Sequence, residues 1–498
     1  MSTSKQISRR NFVKAAAIAG ASLATVGVKT ASAMPIQKPT EWDYTADVII
    51  VGGGGAGVAA ACEAVDRGLS VYLLEKEAFL GGSTIISGGQ MTFAGTPDQK
   101  EKGINDSVDL FTKDLLEVGQ NVNDPKLLKA FMDVQLDTYS WLKNLGVGLT
   151  LTPGVMAGMS VPRAHKFSQP QLISLLSKHA TDKGAKIFTA CSGQRLVYDG
   201  KKICGVVAKY RDKDVTFEGK KGVILTAGGY AKNPDMLGQY TPAMRNAKAI
   251  AGLGNTGDGI KMAQAYGADF IDSSYVKATY GTILNPVIVD QDRMRYHYNG
   301  GIIVNKNGKR IADESIPYKL LGDICLALPE GHSYQIYDSE IRDKEHFKTW
   351  QLTEEAVQKF ENRPDVIYKA NTIKEVAKLA GVDPDVLDET VTNYNANVEK
   401  GNDPEFGRKT LVGKVGKPIK IDKPPYYIMP TTAILLATYC GVRITPKTEV
   451  VDVFGEIIPG LHAAGEMVGG FHGAAYMAGS AVAKAVVLGR IAAKNVAG

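Results

Sequence analysis

A short apolar run followed by closely spaced glycines places the strongest constraint on the fold of this chain. Residues 46–51 read Ala-Asp-Val-Ile-Ile-Val, as in a buried strand, and glycines follow at 52, 54 and 57. The small residues 58–65 are compatible with a helix. A strand, a glycine turn and a helix start form half of a dinucleotide-binding unit, whose helix N-terminus faces a pyrophosphate. We therefore predict a Rossmann-like α/β domain. Its predicted phosphate-binding residues are Gly52, Gly54, Gly55, Ala56 and Gly57.

A second predicted strand, residues 71–75, ends in an acidic side chain. Glu75 stands 18 residues after Gly57, and an acid at such a strand end can accept hydrogen bonds from both ribose hydroxyls of an ADP moiety. Residues 81–89 are dense in glycine and hydroxyl side chains. Such a loop brings backbone N–H groups close to a flat or anionic ligand. The contacts predicted here are Glu75, Lys76, Gly81, Gly82, Ser83, Ser87, Gly88 and Gly89.

Similar glycine-rich sequence returns on both sides of a long segment of different composition. Residues 221–229 read as a buried strand ending in a glycine turn, and residues 459–466 as a strand ending in an acid. Between them, Tyr, Pro and charged residues become more frequent, which favours an inserted α+β capping or substrate domain. We predict a leader at 1–33, a cofactor-binding domain at 34–269 and 429–498, and the insert at 270–428.

The remaining predicted cofactor contacts lie at strand ends and helix starts. Asp258 opens a helix, and two interpretations stay open: it binds cofactor hydroxyls, or it caps that helix. The last helix begins after Gly479. The contacts predicted in these segments are Ala227, Gly228, Asp258, Gly465, Glu466, Ser480 and Val482.

The N-terminal segment predicts export. Residues 8–14 contain a twin-arginine motif, residues 15–28 are mildly apolar, and residues 31–33 fit an Ala-x-Ala cleavage site. The apolar stretch is too short for a membrane-spanning helix, so we expect a periplasmic protein without a stable membrane span. Residues 1–33 hold five basic and no acidic side chains, which leaves 53 Lys and Arg against 52 Asp and Glu. This balance does not favour a nucleic-acid partner.

The cysteines argue against a metal site. There are five, and none forms a C-x-x-C pair, which disfavours a disulfide framework, a zinc site, an iron–sulfur cluster or attached c-type haem. We predict no metal. Cys62 falls within the first predicted helix and is expected in the core.

Together these motifs resemble the fumarate reductase/succinate dehydrogenase flavoprotein superfamily over residues 46–498. The resemblance implies a GR2-type Rossmann-like domain that binds FAD non-covalently, with Glu75 on the ADP ribose and Glu466 near the ribityl chain. It also implies that the helix from Ser480 directs its N-terminus at the N1–C2=O edge of the flavin, where a positive helix end stabilises the reduced form. The matching segments are 52–57, 81–89, 227–229, 256–259, and 464–466 with the helix after 479.

Three departures from fumarate reductases concern the substrate site. Those enzymes carry a proton-shuttling arginine eight residues past the position of Arg310, where this chain has Tyr318. Their His-Gly-x-Asn-Arg motif ends here in Tyr476, and their substrate histidine is absent from residues 437–442. Both tyrosines are similar to those of the 3-ketosteroid dehydrogenase branch, whose acid-Glu-x-x-x-Tyr segment matches residues 313–318.

That second resemblance implies roles for the tyrosines. Tyr318 would carry a proton at a substrate carbon, and Tyr476 would donate a hydrogen bond to a ketone oxygen with help from a backbone N–H. A phenol suits a ketone oxygen or a developing enolate better than a dicarboxylate. Tyr439 and Gly479 are weaker predicted substrate contacts.

The sequence therefore predicts an exported FAD-dependent oxidoreductase acting on a carbon–carbon bond conjugated or adjacent to a carbonyl, such as an enone reductase or ketosteroid-type dehydrogenase. Its electrons would come from a separate cytochrome or quinol-linked partner. The alternative is a fumarate-reductase-like 2-enoate reductase using a periplasmic cytochrome, with the missing cation supplied by Arg293, Arg295 or Arg443. A flavin electron carrier without substrate chemistry is disfavoured by the large insert. Weaker candidates for the pocket are Arg163, His165 and Tyr280.

Overall fold

The computed structural model describes residues 36–156, 158–245, 247–276, 278–284, 294–344, 354–363, 365–412 and 416–498. The predicted export signal at 1–33 and the candidate Arg293 lie outside these residues.

The strands, numbered in chain order, range from two to 13 residues. They are β1 (Ile36–Gln37), β2 (Tyr44–Val51), β3 (Val71–Leu74), β4 (Gln90–Thr92), β5 (Thr150–Leu151), β6 (Ala164–Lys166), β7 (Lys186–Phe188), β8 (Cys191–Tyr198), β9 (Ile203–Tyr210), β10 (Lys213–Leu225), β11 (Lys248–Ala249), β12 (Phe270–Ile271), β13 (Thr279–Ile283), β14 (Ile302–Val304), β15 (His332–Asp338), β16 (Tyr368–Ala370), β17 (Tyr426–Leu435), β18 (Gly441–Val442), β19 (Glu449–Val451) and β20 (Ile457–Ala463).

The α-helices begin mostly at Ser, Thr, Asp, Asn or Gly caps, the residues that satisfy free N–H groups at a helix start. They are α1 (Gly55–Asp66), α2 (Pro97–Glu101), α3 (Val108–Val118), α4 (Pro125–Asn144), α5 (Gln169–Asp182), α6 (Pro234–Tyr240), α7 (Asp258–Gln264), α8 (Tyr318–Leu326), α9 (Ser339–Asp343), α10 (Glu354–Glu361), α11 (Ile373–Ala380), α12 (Pro384–Glu399) and α13 (Ser480–Ala497).

The larger sheet has the order β1-β8-β9-β10-β2-β3-β7, with β20 beside the end of β10 and β19 beside β20. Its parallel part contains β20, β10, β2, β3 and β7. Helices α1 and α13 pack against each other beside this part, and a side chain at Gly489 would collide with the backbone of Ala56. The small residue lets the middle of α13 approach the start of α1 closely.

A second sheet has the order β11-β17-β15-β14, and β13 and β16 also pair with β17. It has its own apolar cluster, with Ile302, Ile336 and Ile428 fully buried. Most of these strands fall within the predicted insert at 270–428, but β11 precedes it and β17 continues to Leu435. The exact domain boundaries stay a prediction.

The prediction for Cys62 agrees with the structure. Cys62, expected in the core, is fully buried in α1. In the described part of the chain, no helix combines the length and apolar character needed to cross a membrane. The same residues contain no cluster of three His, Cys, Asp or Glu side chains arranged to hold a metal ion.

Candidate active site

A cavity of about 860 Å³ lies at the carboxyl ends of β2, β3 and β10 and extends to α8 of the second sheet region. Crevices at this edge of a parallel sheet are the usual ligand sites of such folds. The predicted residues that line it are Gly52, Gly54, Gly55, Ala56, Glu75, Lys76, Gly82, Ser83, Ser87, Gly88, Ala227, Gly228, Asp258, Tyr318, Tyr439, Gly465, Glu466, Tyr476, Gly479 and Val482.

Four predicted contacts do not line the cavity. Gly57 packs against the carbonyl of Gly52, where a side chain would collide. Gly81 donates its N–H to the carbonyl of Gly53 at 2.9 Å. Gly89 has a left-handed backbone with φ of 65°, and buried Ser480 donates its hydroxyl to the carbonyl of Met477 at 2.8 Å. These residues shape the lining from behind it.

The glycine turn before α1 leaves room for a ligand on one side. A Cβ atom at Gly54 would have only the carbonyl of Gly81 within 4 Å, at 3.9 Å. At Gly52, by contrast, φ is 109° and a Cβ atom would lie 2.5 Å from the carbonyl oxygen of Thr226. Gly52 therefore permits the turn itself, while Gly54 keeps its cavity side open to a close-lying phosphate.

Glu75 is tied to the turn by both carboxylate oxygens. One accepts the N–H of Gly53 at 2.7 Å and the other accepts the N–H of Glu77 at 2.8 Å. Burial raises the pKa of this carboxyl group, although both hydrogen bonds oppose the shift. Each carboxylate oxygen can accept a second hydrogen bond, so the predicted ribose contact is compatible with this arrangement.

Asp258 does not cap α7. The N-cap is Gly257, with φ of 80° and no side-chain cap bond. The carboxylate of Asp258 instead accepts hydrogen bonds from the ammonium of Lys76 at 2.6 Å and the hydroxyl of Thr256 at 3.0 Å. This corrects the capping interpretation; hydroxyl binding stays a prediction.

Glu466 and Asn255 join three segments of the lining. Glu466 accepts the N–H of Thr438 at 3.0 Å and the side-chain amide of Asn255 at 2.9 Å. Asn255 is oriented in turn because its oxygen accepts the N–H of Ala231 at 2.7 Å. Burial raises the pKa of Glu466. Sequence reasoning missed Asn255, which stands three residues before Asp258.

Lys484 is a buried cation in the cavity wall, one turn into α13. Only 1% of it is exposed, and its ammonium donates to the carbonyl of Val468 at 2.6 Å. Burial lowers its pKa to about 8, while the charges of Glu466 and Asp272 oppose the shift. A lysine within the small and apolar first half of the last helix, residues 480–489, was the available sequence signal.

Tyr476 and Tyr439 form an aromatic wall with His472. Their two rings stack with centroids 4.9 Å apart and planes 18° apart, and His472 meets both edge-on. The hydroxyl of Tyr476 accepts the N–H of Gly479 at 2.8 Å. Burial holds the pKa of His472 well below its usual value, so the ring is neutral. The structure thus places a phenol and a backbone N–H together at the start of α13.

Tyr318 begins α8 on another wall and has two cations beside it. The guanidinium carbon of Arg295 lies 4.7 Å from the Tyr318 ring centroid. The ammonium of Lys319 lies 5.8 Å from the same ring and 5.3 Å from that of Tyr439, so both tyrosines face one small volume. Arg295 is 6% exposed. Both Arg295 and Lys319 line the cavity. The cleft is therefore lined by cations as well as phenols, and Arg295 is one of the three arginines that the 2-enoate reductase alternative offered as the missing cation.

The other weaker candidates do not line the cavity. Arg163 forms a buried ion pair with Asp106 at 2.7 Å, and burial lowers the pKa of neighbouring His165 to about 4. Tyr280 is fully buried and bonded to Ser333 at 2.8 Å. Arg443 pairs with Asp269 at 2.9 Å. Lining residues that the sequence did not predict include Glu77, Thr84, Gln90, Asn255, Tyr298, Lys319, His472 and Lys484.

The sequence matches the family described as FAD binding domain over residues 47–482. It is 31% identical over 426 residues to the fumarate reductase (cytochrome) of Shewanella frigidimarina, covering 84% of this chain and 71% of that one. It is also 31% identical over 448 residues to the urocanate reductase of Eggerthella lenta, covering 88% and 72%. A solved 3-ketosteroid-Δ4-(5α)-dehydrogenase of Rhodococcus jostii RHA1, in complex with 4-androstene-3,17-dione, superposes with a TM-score of 0.73 at 26% identity, covering 93% and 99%.

The fold and site define a flavoprotein oxidoreductase. The chain belongs to the FAD binding domain family, within the superfamily of the fumarate reductases, and it is an FAD-dependent oxidoreductase of the group that acts on C=C bonds. The cavity fits FAD for two reasons. Gly54 leaves open space at the start of α1, and the buried carboxylate of Glu75 can accept hydrogen bonds from hydroxyl groups. The predicted superfamily, the fold class and FAD as the cofactor are thereby confirmed.

Replacing Lys484 by Met should lower the reduction potential of bound FAD, because a buried positive charge favours the anionic reduced flavin. The ammonium is charged below its pKa of about 8 and neutral above it. The difference between variant and native protein should therefore be present well below pH 8 and disappear as pH rises through that value. Spectroelectrochemical titration measures the reduction potential of bound FAD in both proteins. Lys494→Met is the control, because Lys494 is exposed on the same helix. Equal potentials for Lys484→Met and native protein at low pH would contradict the expectation.

Proposed function

We propose that this protein reduces the C=C bond of a 2-enoate, an α,β-unsaturated carboxylate. The observation that carries the proposal is the pair of cations, Arg295 and Lys319, beside Tyr318 in the cavity. A guanidinium group is well suited to a carboxylate, and an ammonium beside it adds positive charge. Bound FAD supplies the hydride. The reaction adds that hydride and one proton across the C=C bond and yields the saturated acid.

Tyr318 is the proposed proton donor. When its phenol gives its proton to the substrate carbon, the negative charge left on oxygen is stabilised by Arg295 and Lys319, whose charged groups lie 4.7 and 5.8 Å from the ring. The phenolate then regains a proton from solvent. A positioned acid of this kind contributes about 10²–10⁴-fold to rate.

Tyr476 and Gly479 are the proposed donors to the carbonyl oxygen conjugated with the double bond. The Gly479 N–H donates to the Tyr476 hydroxyl oxygen at 2.8 Å, so a carbonyl oxygen lying beside this pair, at hydrogen-bond distance from both atoms, would take over the N–H and accept the hydroxyl proton of Tyr476. Donors aimed at an oxygen that gains negative charge stabilise the transition state. This role is the same for a carboxylate and for a ketone.

An enone is the second candidate substrate. It is favoured by the same Tyr476–Gly479 pair and by the likeness to a dehydrogenase solved with 4-androstene-3,17-dione. The two candidates differ in what Arg295 and Lys319 do, since a neutral ketone leaves both cations without an anionic ligand.

Anaerobic stopped-flow reoxidation distinguishes the two substrates. We expect protein reduced by a viologen dye to be reoxidised rapidly by crotonate and slowly or not at all by cyclohexenone, because only the first places an anion beside the cations. Arg295→Met should raise the KM for the enoate more than it lowers kcat. Rapid reoxidation by cyclohexenone but not by enoates would replace the proposal by the enone candidate.

We also propose a non-covalent FAD, a periplasmic location after twin-arginine export, and a separate cytochrome or quinol-linked donor. The donor proposal is supported by the sequence, which has no haem-attachment motif, and by the relative named fumarate reductase (cytochrome). Denaturation that leaves the flavin attached to the protein would contradict non-covalent binding.

A further inference from the structure

Strand β13 contacts both cations of the cavity. The hydroxyl of Thr279, the first residue of this strand, accepts a hydrogen bond from the ammonium of Lys319 at 2.9 Å. The carbonyl of Tyr280, the next residue, accepts one from the Nε–H of Arg295 at 3.2 Å. Two consecutive residues of one strand therefore hold the two charged groups to which the proposed function assigns the substrate carboxylate.

The strand has a β-bulge directly after these two residues. Between Tyr280 and Thr282 the register against β17 shifts, so Gly281 is the additional residue of the bulge. Its φ of 106° is one that a residue with a side chain rarely adopts. The carbonyl of Gly281 accepts the N–H of Met294 at 2.9 Å. Bulges can re-aim side chains beside an active site, and this one is bonded to the residue before Arg295.

The side chain of Arg295 occupies the space that a side chain at Gly281 would need. A Cβ atom at Gly281 would lie 2.6 Å from Cγ, 3.0 Å from Nε and 3.3 Å from Cδ of Arg295. The nearest of these atoms, Cγ, lies close to the arginine backbone, so it cannot move aside without moving the guanidinium group as well. A side chain at position 281 would therefore displace this group from its place 4.7 Å from the Tyr318 ring.

The strand is fixed on two sides, so it cannot shift to relieve such a collision. Tyr280 is fully buried, and its hydroxyl lies 2.8 Å from that of Ser333 on β15. Helix α8 packs closely at the start of the strand, because a Cβ atom at Gly322 would lie 2.6 Å from the carbonyl oxygen of Ala278. We therefore expect the arginine to move and the strand to stay.

We propose that Gly281 is the positioning residue that gives Arg295 its place in the cavity, and that the preference of the cavity for a carboxylate depends on it. The proposal rests on the 2-enoate reductase function and names a residue outside the cavity lining that sets its specificity. A hydrogen bond between a guanidinium and a carboxylate is equivalent to about tenfold to hundredfold in affinity. This affinity would be lost with any side chain at position 281.

The test compares Gly281→Ala with native protein, with crotonate as the ligand. Calorimetric titration of the oxidised holoprotein gives Kd, and reoxidation of the reduced holoprotein gives KM and kcat. We expect Gly281→Ala to raise Kd and KM about tenfold or more and to change kcat less. Gly184→Ala is the matched control, because Gly184 has a similar φ of 99° at an exposed turn with open space around an added Cβ atom. It should leave Kd and KM within about twofold.

A double-mutant cycle shows whether Gly281 acts through Arg295. Arg295→Ala removes the atoms that the new methyl group would meet, so adding Gly281→Ala to it should change Kd and KM less than about twofold. If Gly281→Ala alone does not retain FAD, adding Arg295→Ala should restore the flavin content. A double variant that still lacks FAD would assign Gly281 to backbone geometry alone and overturn the proposal. Equal effects of Gly281→Ala in the two backgrounds would overturn it as well.

The outcomes separate this inference from the function on which it rests. If native protein binds and reduces crotonate, and Gly281→Ala with native-like flavin content does so with the same Kd and KM, the role of Gly281 is wrong and the 2-enoate reductase stands. If crotonate neither binds nor reoxidises native protein while an enone does, the proposed function itself is wrong.

Discussion

Replacing Tyr318 by Phe should lower kcat for enoate reduction by about 10²–10⁴-fold, the range expected when a positioned general acid is removed. The substitution deletes the hydroxyl alone and keeps the ring under the guanidinium of Arg295, 4.7 Å from its centroid. We therefore expect little change in fold or in substrate affinity, so that kcat falls while KM stays within a few-fold. Stopped-flow reoxidation of the reduced protein by substrate measures the affected half-reaction directly.

Two controls make this result specific. Reduction of bound FAD by dithionite does not need the proton donor and should proceed in the variant as in the native protein. Tyr368→Phe makes the same change in β16, outside the cavity lining, and should leave kcat unaltered. If Tyr318→Phe retains more than about half of native kcat, another group delivers the proton and the assignment of Tyr318 fails.

The cofactor half of the site could be predicted because its chemistry depends on local sequence. The glycines at 52, 54 and 57 each have a local role, since side chains at Gly52 and Gly57 would collide with backbone and Gly54 leaves open space beside the turn, so their spacing indicates what they do. Asn255 was missed because an asparagine three residues before Asp258 has no such signature. Its importance comes from tertiary contacts, with Glu466 on one side and the N–H of Ala231 on the other.

The charge of the substrate site was predicted only within the alternative, where Arg295 was one of three arginines that could supply the missing cation. Comparison of motif positions indicated that two arginines had become tyrosines, which suggested an uncharged substrate. Arg295 reaches Tyr318 from a different segment, before β14, and Lys319 adds a second cation from the residue after Tyr318. A charge at a site can be conserved in space while its position in the sequence changes, and only the packing of α8 against β13 and its neighbours shows this.

The acid-Glu-x-x-x-Tyr segment, residues 313–318, is also held by residues that are distant in the sequence, and here the contacts bear on stability. Glu314 is fully buried and lies between two arginines. Its oxygens accept hydrogen bonds from Arg310 at 2.8 and 3.0 Å and from Arg408 at 3.1 Å. Arg408 also donates to the carbonyls of Gly301 and His297, at 3.1 and 3.2 Å. Glu314 thus fixes the segment leading to α8 against the segment that carries Tyr298.

Glu314→Ala should therefore lower the free energy of unfolding by about 3–5 kcal/mol, the cost of leaving buried charges without their partner. Urea unfolding of the holoprotein measures it, and Glu330→Ala, at an exposed position in the same region, should change it by less than about 0.5 kcal/mol. Adding Arg408→Leu to Glu314→Ala should recover part of the loss, because it removes the buried cation that loses its carboxylate, whereas Arg310 still pairs with Asp403 at 2.9 Å. A loss below about 1 kcal/mol for Glu314→Ala would mean that water or another acid replaces the carboxylate, and that the motif glutamate does not hold Tyr318 in place through this network.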